Sequence, residues 1–127
     1  MQAIGQYSDL QEKVELILGM DRGIVFAAFS DKHGEIIAQG INKLLPEEFR
    51  IRVSNLPEEK AFAPALIAAI VAQGEEYFGK SKLVVASYQE LTLLFVPFHS
   101  LEFIAVLGLI PNIDPKHVAA KVESLFA

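Results

Sequence analysis

The sequence predicts a three-layer α+β fold, with helices on both faces of a five-stranded, antiparallel-type sheet. Helical and strand patterns follow one another in the order α-β-β-α-β-β-β-α. Two of the strand patterns, Ile24–Phe29 and Phe103–Leu109, are apolar at nearly every position, as expected of strands that are covered on both faces. Because the chain contains no repeat, low-complexity tract or linker, we expect residues 1–127 to form a single domain.

A helix is predicted first, over residues 8–18. Ser8 and Gln11 have the spacing of a capping box, and apolar residues recur along one helical face as far as Leu18. Gly19 is a typical residue for ending the helix.

The β-hairpin predicted over residues 24–41 is the most informative feature of the chain. The apolar run is followed by Ser30-Asp31-Lys32-His33-Gly34, and a second strand pattern then continues to Ile41. Gly34 supplies the positive φ that a tight turn needs, and Ser30 and Asp31 suit the first positions of that turn.

The middle of the chain contains a second helix that ends at Phe78, before Gly79. Its start is open: Pro57 favours a first helical turn, but Pro64 lies inside the pattern, so the helix either kinks or begins there. The preceding segment, residues 43–55, reads either as a short helical turn or as a surface loop.

Three strand patterns and a helix complete the chain. The strands are predicted over residues 82–88, 91–96 and 101–109. The two connections between them, 89–90 and 97–100, are short enough for antiparallel hairpins. Asp114-Pro115 is a strong helix-start signal, and the last helix places apolar residues on one face as far as Phe126.

Composition excludes several classes of partner. The net charge is −5 and no basic cluster is present, which argues against nucleic acid and anionic membranes. With no cysteine, the chain has no disulfides and no thiolate chemistry, and it fits an intracellular protein. The first residues lack the basic and apolar regions of a signal peptide, and the longest apolar segment is interrupted at Pro97, so we expect a cytoplasmic protein without a spanning helix.

No residue pattern predicts catalysis, a cofactor or a metal site. His33, His99 and His117 lack the spacing of metal ligands and are expected to be exposed. Asp31 and Asp114 are better explained as turn and cap residues than as catalytic acids, and no serine has a nucleophile-elbow context. We therefore expect the protein not to be an enzyme.

A covering argument predicts a partner. Five strands make a sheet roughly 24 Å wide, whereas one helix covers about 10 Å, so two faces need about four helices and three are predicted. The middle helix carries no charged residue over 61–72, and Ile67 and Val71 point away from its sheet-facing stripe. Either this surface self-associates, or the segment Glu47–Val53 of the same chain folds over it.

Three segments carry a resemblance to a known family. They are the hairpin Gly23–Gly40 with its Asp-x-x-Gly turn, the helix end Tyr77-Phe78-Gly79-Lys80, and the strand Leu83–Ser87. Together with the element order, they resemble the Roadblock / dynein light chain superfamily, a profilin-like fold, and its small archaeal-type members in particular. Pro57, Pro64 and the segment from Lys43 to Asn55 depart from the compact family pattern.

The resemblance implies a dimer, formed with itself or with a related chain, in which the middle helices pack together and the third strands join two sheets edge to edge. It places these residues at the dimer seam: Leu66, Ile67, Ile70, Val71, Leu83, Val84 and Val85. Family members are non-enzymatic scaffolds and regulators that dock small Ras-like GTPases or motor subunits. Glu75, Glu76 and Tyr77, at the end of the middle helix, are candidate partner contacts, although a solvated helix end explains them as well.

A small-ligand sensor is the alternative function. In a PAS- or profilin-like protein of this layout, the uncovered sheet face would form a pocket lined by Phe26, Phe95 and Phe103.

Overall fold

The computed structural model describes residues 2–31, 33–47 and 64–126, and it describes side chains for 9–31, 33–47 and 71–126. The described elements, in chain order, are α1 (Gln2–Met20), β1 (Ile24–Asp31), β2 (Ile36–Ile41), α2 (Pro64–Phe78), β3 (Val84–Ser87), β4 (Thr92–Phe98), β5 (Phe103–Leu109) and α3 (Pro115–Ser124). This order confirms the predicted one. None of the described helices is long and apolar enough to cross a membrane.

The five strands form one sheet in the order β2-β1-β5-β4-β3, and every neighbouring pair is antiparallel. The nearly uniform apolar strands β1 and β5 lie side by side in the interior of the sheet, which is why both of their faces are buried. The short strands β2 and β3 form its two edges.

The first face of the sheet is covered by α1 and α3. Leu10, Val14 and Ile17 of α1 and Val118 and Val122 of α3 are all buried in the same hydrophobic cluster. The cluster continues through the sheet residues Ile24, Ala27, Phe29, Ala38, Leu94, Val96, Phe103, Ala105, Leu107 and Leu109. The periodic apolar face of each helix therefore packs where its spacing predicts.

The second face has a smaller buried centre. It consists of Val25, Phe26, Ala28, Leu93, Phe95 and Val106. A β-bulge between Ile24 and Phe26 turns Val25 and Phe26 to this face together, although strict alternation would separate them. Ile104, beside this centre, lines a cavity with Val71 and Glu75 of α2, so α2 lies on the second face.

Three local predictions are corrected. The helix α1 already begins at Gln2, so Ser8 lies inside it and the capping box is wrong: helix-compatible residues before Ser8 extend the helix past a purely local signal. Ser30 is fully buried within β1 and not in the turn, because β1 continues to pair with β5 as far as Asp31. The strand β4 extends to Phe98 and includes Pro97.

Pro97 is tolerated in β4 because of where β3 begins. The strand β3 pairs with residues 92–95, so among the described strands the neighbour of β4 at Pro97 is β5 alone. A missing N–H costs little at such a half-free position.

The predictions for the hairpin turn and for the start of the last helix are confirmed. Gly34 has φ +88°, and the Oδ1 atom of Asp31 accepts hydrogen bonds from the backbone N–H groups of His33, at 2.8 Å, and Glu35, at 3.0 Å. Asp114 caps α3 by accepting from the N–H of Lys116 at 3.0 Å. The predicted helix start at Pro57 lies outside the described residues, and so does the predicted covering segment Glu47–Val53 apart from Glu47, which is exposed.

Candidate functional site

The exposed end of α2 and the adjoining strand β3 form the candidate interaction surface, which we define as Tyr77, Phe78, Val85 and Tyr88. The side chains of Tyr77 and Phe78 are 79% and 90% exposed, and their ring centroids are 6.4 Å apart. Val85 is 39% exposed, and Tyr88 follows the strand directly. Exposed aromatic side chains that lie together, as Tyr77 and Phe78 do, are typical of surfaces that bind another protein.

The strand β3 is an edge of the sheet. Among the described strands it pairs with β4 alone, so its outer N–H and C=O groups have no strand beside them there. An open strand edge is a template for another strand.

The predicted seam residues occupy different positions. Leu83 is half-buried against the first-face cluster, Val84 is half-buried against the second-face cluster, and Val85 is exposed. Val71 is half-buried and lines a cavity. The side chains of Leu66, Ile67 and Ile70 lie outside the described residues, so their place at a seam stays a prediction.

Two of the three candidate partner contacts are exposed, and the third is hydrogen-bonded within the chain. Glu76 and Tyr77 are exposed, whereas Glu75 is half-buried. The Oε2 atom of Glu75 accepts hydrogen bonds from the backbone N–H of Ser81, at 2.8 Å, and from its hydroxyl, at 2.9 Å. This carboxylate therefore ties the last turn of α2 to the loop before β3.

His99, in the turn after β4, joins the same group. Its Nε2 atom lies 2.9 Å from the carbonyl oxygen of Ser81 and 3.4 Å from the Oε2 atom of Glu75. Because a carbonyl oxygen can only accept, Nε2 carries a proton and donates it. The backbone N–H of Ser81 is the main cause that lowers the pKa of Glu75. Burial raises this pKa, whereas the Ser81 hydroxyl, His99 and Lys80 lower it further.

The prediction that all three histidines are exposed is wrong for His99. His33 and His117 are exposed, but His99 is half-buried. The two-residue extension of β4 past Val96 carries the following turn over the end of α2. Ser81 and His99 are 18 positions apart in the sequence, so no local sequence pattern predicts their contact.

A cavity of about 200 Å³ lies between α2 and the turn that joins β4 to β5. Its described lining consists of Val71, Glu75, Pro97, Phe98, His99, Glu102, Phe103 and Ile104. The lining is apolar apart from two carboxylates and one imidazole. Glu102 adopts φ +60°, a left-handed conformation that is uncommon outside glycine, asparagine and aspartate.

The three phenylalanines predicted to line a pocket in a ligand sensor do not lie on one face of the sheet. Phe26 and Phe95 belong to the buried centre of the second face, whereas Phe103 belongs to the first-face cluster. These side chains lie on opposite faces of the sheet, because β5 alternates along its length. Among the described residues, no three histidine, aspartate or glutamate side chains converge to hold a metal ion.

Comparison with known proteins identifies the fold. No family model matches the chain. No curated protein matches its sequence either. Solved structures do match: the Roadblock/LC7 domain from Streptomyces avermitilis has a TM-score of 0.63 at 12% identity, covering 91% of this chain and 89% of that one.

Two further structures agree. The gliding protein MglB from Thermus thermophilus has a TM-score of 0.64 at 14% identity, covering 91% of this chain and 84% of that one. An MglB structure with a tetrameric arrangement has a TM-score of 0.62 at 16% identity, covering 91% of this chain and 83% of that one. The chain therefore has a Roadblock-like fold.

Proposed function

Because the chain has a Roadblock-like fold, we propose that it is a non-enzymatic, dimeric protein-interaction module that serves as a scaffold or regulator of a small Ras-like GTPase in the cytoplasm. The observation that carries this proposal is the candidate interaction surface: α2 ends in two exposed aromatic side chains, and the next element along the chain, β3, is an edge strand of the sheet.

The open edge of β3 supports dimerisation through the sheet. Two copies of β3 that pair with each other satisfy the outer backbone groups of both strands and join two five-stranded sheets into one. Apolar residues on and beside the strand, such as Val85 and Tyr88, add burial at the same seam. The tetrameric MglB arrangement supports association between chains of this fold.

The aromatic end of α2 supports a protein partner at the same surface. Aromatic residues are enriched in the buried centres of protein interfaces, where a few of them contribute most of the binding energy. Leaving Tyr77 and Phe78 exposed gives the isolated chain no stability, whereas a partner that covers them buries two large rings. The GTPase part of the proposal rests on the Roadblock resemblance of the hairpin and of the helix end.

Light scattering coupled to size exclusion tests dimerisation. We expect a mass of twice 14.0 kDa at micromolar concentration. Val85→Lys places a charge on the pairing strand and should raise the dimer Kd at least about 30-fold, as loss of an interface hot spot does. Leu16→Lys, also on an exposed side chain but on α1, is the matched control and should leave the mass unchanged. A wild-type chain that is strictly monomeric at micromolar concentration contradicts the proposal.

The GTPase part is tested by retention on the immobilised chain. Purified Ras-like GTPases, loaded with GDP or with a non-hydrolysable GTP analogue, should be retained in one nucleotide state more than in the other. The Phe78→Ala variant should retain about tenfold less, because it removes an exposed ring without touching the core. Equal and negligible retention in both states would leave a dimeric scaffold with a different partner.

A further inference from the structure

Ser81 lies in the loop between the two parts of the candidate interaction surface, the aromatic end of α2 and the strand β3. It is held by Glu75 of α2 and by His99 of the turn after β4, and we define these three residues as the Ser81 junction. We propose that His99, acting through Ser81, is a positioning residue that fixes the end of α2 relative to β3. This role deepens the proposed function and rests on it, because it concerns how the same surface meets a partner.

All three polar groups of Ser81 are engaged by these two side chains. Its backbone N–H and its hydroxyl donate to the Oε2 atom of Glu75, at 2.8 and 2.9 Å, and its carbonyl oxygen accepts from the Nε2 atom of His99 at 2.9 Å. The same Nε2 atom lies 3.4 Å from Oε2 of Glu75, so the imidazole contacts both other members of the junction. Loss of His99 should therefore loosen the loop and the last turn of α2 together.

The loop has few other contacts that hold it. Among the described residues, one backbone–backbone hydrogen bond outside the helices and strands involves residues 79–83: the N–H of Gly79 donates to the carbonyl oxygen of Glu75. That bond ends the helix, and Gly79, with φ +84°, turns the chain away from it. At the other end of the loop, Leu83 packs against the first-face cluster. The Ser81 junction therefore positions the residues between these two points.

The turn that carries His99 has a firm support. The N–H of Leu101 donates to the carbonyl oxygen of Phe98 at 3.1 Å and closes the turn, and Phe98 pairs with Phe103 across the hairpin. The ring centroid of Phe98 lies 5.3 Å from that of Phe103 and 4.7 Å from that of Phe126. His99 thus connects the packed first face to the loop of the candidate interaction surface.

A fixed surface binds more tightly than a mobile one that has the same contact residues, because less conformational freedom is lost on binding. The side chain of His99 is 29% exposed, and His99 is not one of the four surface residues. Replacing it should change how ordered the surface is while leaving its contact residues intact. A residue that served the fold alone would change stability and not binding.

The first measurement needs no partner: amide hydrogen exchange and ¹⁵N relaxation of the full chain, followed by NMR. In His99→Ala, the N–H groups of Gly79 and Ser81 should exchange about fivefold faster, the size of one lost hydrogen bond. The order parameters of residues 77–83 should fall from about 0.85 towards about 0.6. The amides of β1 and β5 should keep their protection, because the core stays folded. His99→Gln should restore both values, since its side-chain amide can donate to the same carbonyl oxygen.

The second measurement is the dimer Kd of the same variants, from light scattering over a series of concentrations. His99→Ala should raise it about fivefold, because the freed loop must be ordered again on binding, and His99→Gln should stay within about twofold of the wild-type value. His117→Ala removes an exposed imidazole on α3 and is the matched control, which should change neither the Kd nor the exchange of Ser81. His99→Asn replaces the alanine variant if that variant does not fold: asparagine suits a turn but is too short to reach Ser81.

Two results would overturn the inference. One is unchanged exchange and unchanged order parameters in His99→Ala, and the other is a loosened loop with an unchanged dimer Kd, which would mean that the surface does not depend on this junction. A wild-type chain that stays monomeric contradicts the proposed dimer and not the role of His99. In that case a loosened loop that His99→Gln restores supports the positioning role, and an unchanged loop overturns it.

Discussion

The two faces of the sheet are packed in different ways. The first face is closed by α1 and α3, and its apolar residues form one buried cluster from one helix to the other. The second face is buried at its centre, but half-buried apolar residues flank it towards both edge strands, and it adjoins the exposed end of α2. The same sheet thus has one face that stabilises the fold and another that leaves apolar surface next to an open strand edge.

An aromatic cluster closes the first face at one end. Phe29 packs edge-on against Phe103, with ring centroids 5.4 Å apart, and against Phe126, at 5.8 Å. The ring centroids of Phe98 and Phe126 are 4.7 Å apart, and the Nζ atom of Lys13 lies 5.5 Å from the centroid of the Phe126 ring. These contacts connect α1, three strands and the residues after α3, so the first face behaves as one packed unit.

The largest expected effect on stability comes from a mutation at the centre of that cluster. Phe29→Ala should lower the free energy of unfolding by about 3–5 kcal/mol, because Phe29 is fully buried and its ring has two aromatic neighbours. Urea unfolding followed by circular dichroism measures the change. Since domains of this size are stable by only about 5–15 kcal/mol, the variant should lose a large part of its stability.

Phe78→Ala is the control on the second side of the molecule. It removes the same ring from a position that is 90% exposed, so the unfolding free energy of the monomer should change by less than about 0.5 kcal/mol. If both variants lose similar stability, Phe78 is covered within its own chain in solution and the contrast between the two faces fails.

A smaller effect is expected where the second face is tightly packed. A methyl group at Gly108 would overlap the ring of Phe26 and lie 2.6 Å from its Cδ1 atom. Gly108→Ala should therefore cost about 1–3 kcal/mol through overpacking. Gly19→Ala is the matched control: nothing lies within 4 Å of the added Cβ, so the helical alanine should stabilise by about 0.5–1 kcal/mol. A neutral Gly108→Ala would mean that Phe26 is loosely held and that the second face lacks a firm centre.

Patterns that repeat along the chain made the fold predictable. The uniform apolar runs of β1 and β5 predicted strands that are covered on both faces, and the helical spacing in α1 and α3 predicted which side chains are buried. These signals are strong because every second or every third to fourth residue repeats the same information. Helix and strand order followed from them directly.

Features that depend on a single residue or on distant contacts were not predictable. Pro97 reads locally as a strand stop, and it is acceptable within β4 because β3 begins only at Val84, which pairs with Phe95. The capping box at Ser8 is a local signal that the preceding residues override. The cavity needs Glu75, His99 and Glu102, which come together only because β4 extends past Val96 and carries its turn to α2.

The smallest expected effect is the contribution of the Glu75 carboxylate to stability, at the point where α2 meets the β4–β5 hairpin. The pKa of Glu75 lies below its ordinary value of 4.5 in the folded chain, mainly because the N–H of Ser81 donates to its carboxylate. A carboxyl whose pKa is depressed by folding contributes stability that is fully present above its unfolded pKa and is lost as the pH falls through the folded pKa. We expect that contribution to be less than about 1 kcal/mol, because the carboxylate is partly open to water.

Glu75→Gln isolates this contribution. Above about pH 5.5, the wild-type chain should be slightly more stable than the variant, by a constant amount; below pH 4.5, the difference should shrink as the carboxyl is protonated. Urea unfolding at half-unit pH steps measures it, with Glu12→Gln on α1 as a charge-matched control that should follow the wild-type profile at low pH. A Glu75→Gln difference that does not change between about pH 6 and pH 3 would mean that Ser81 and His99 do not hold this carboxylate in solution. The end of α2 would then be held to the hairpin by apolar contacts alone.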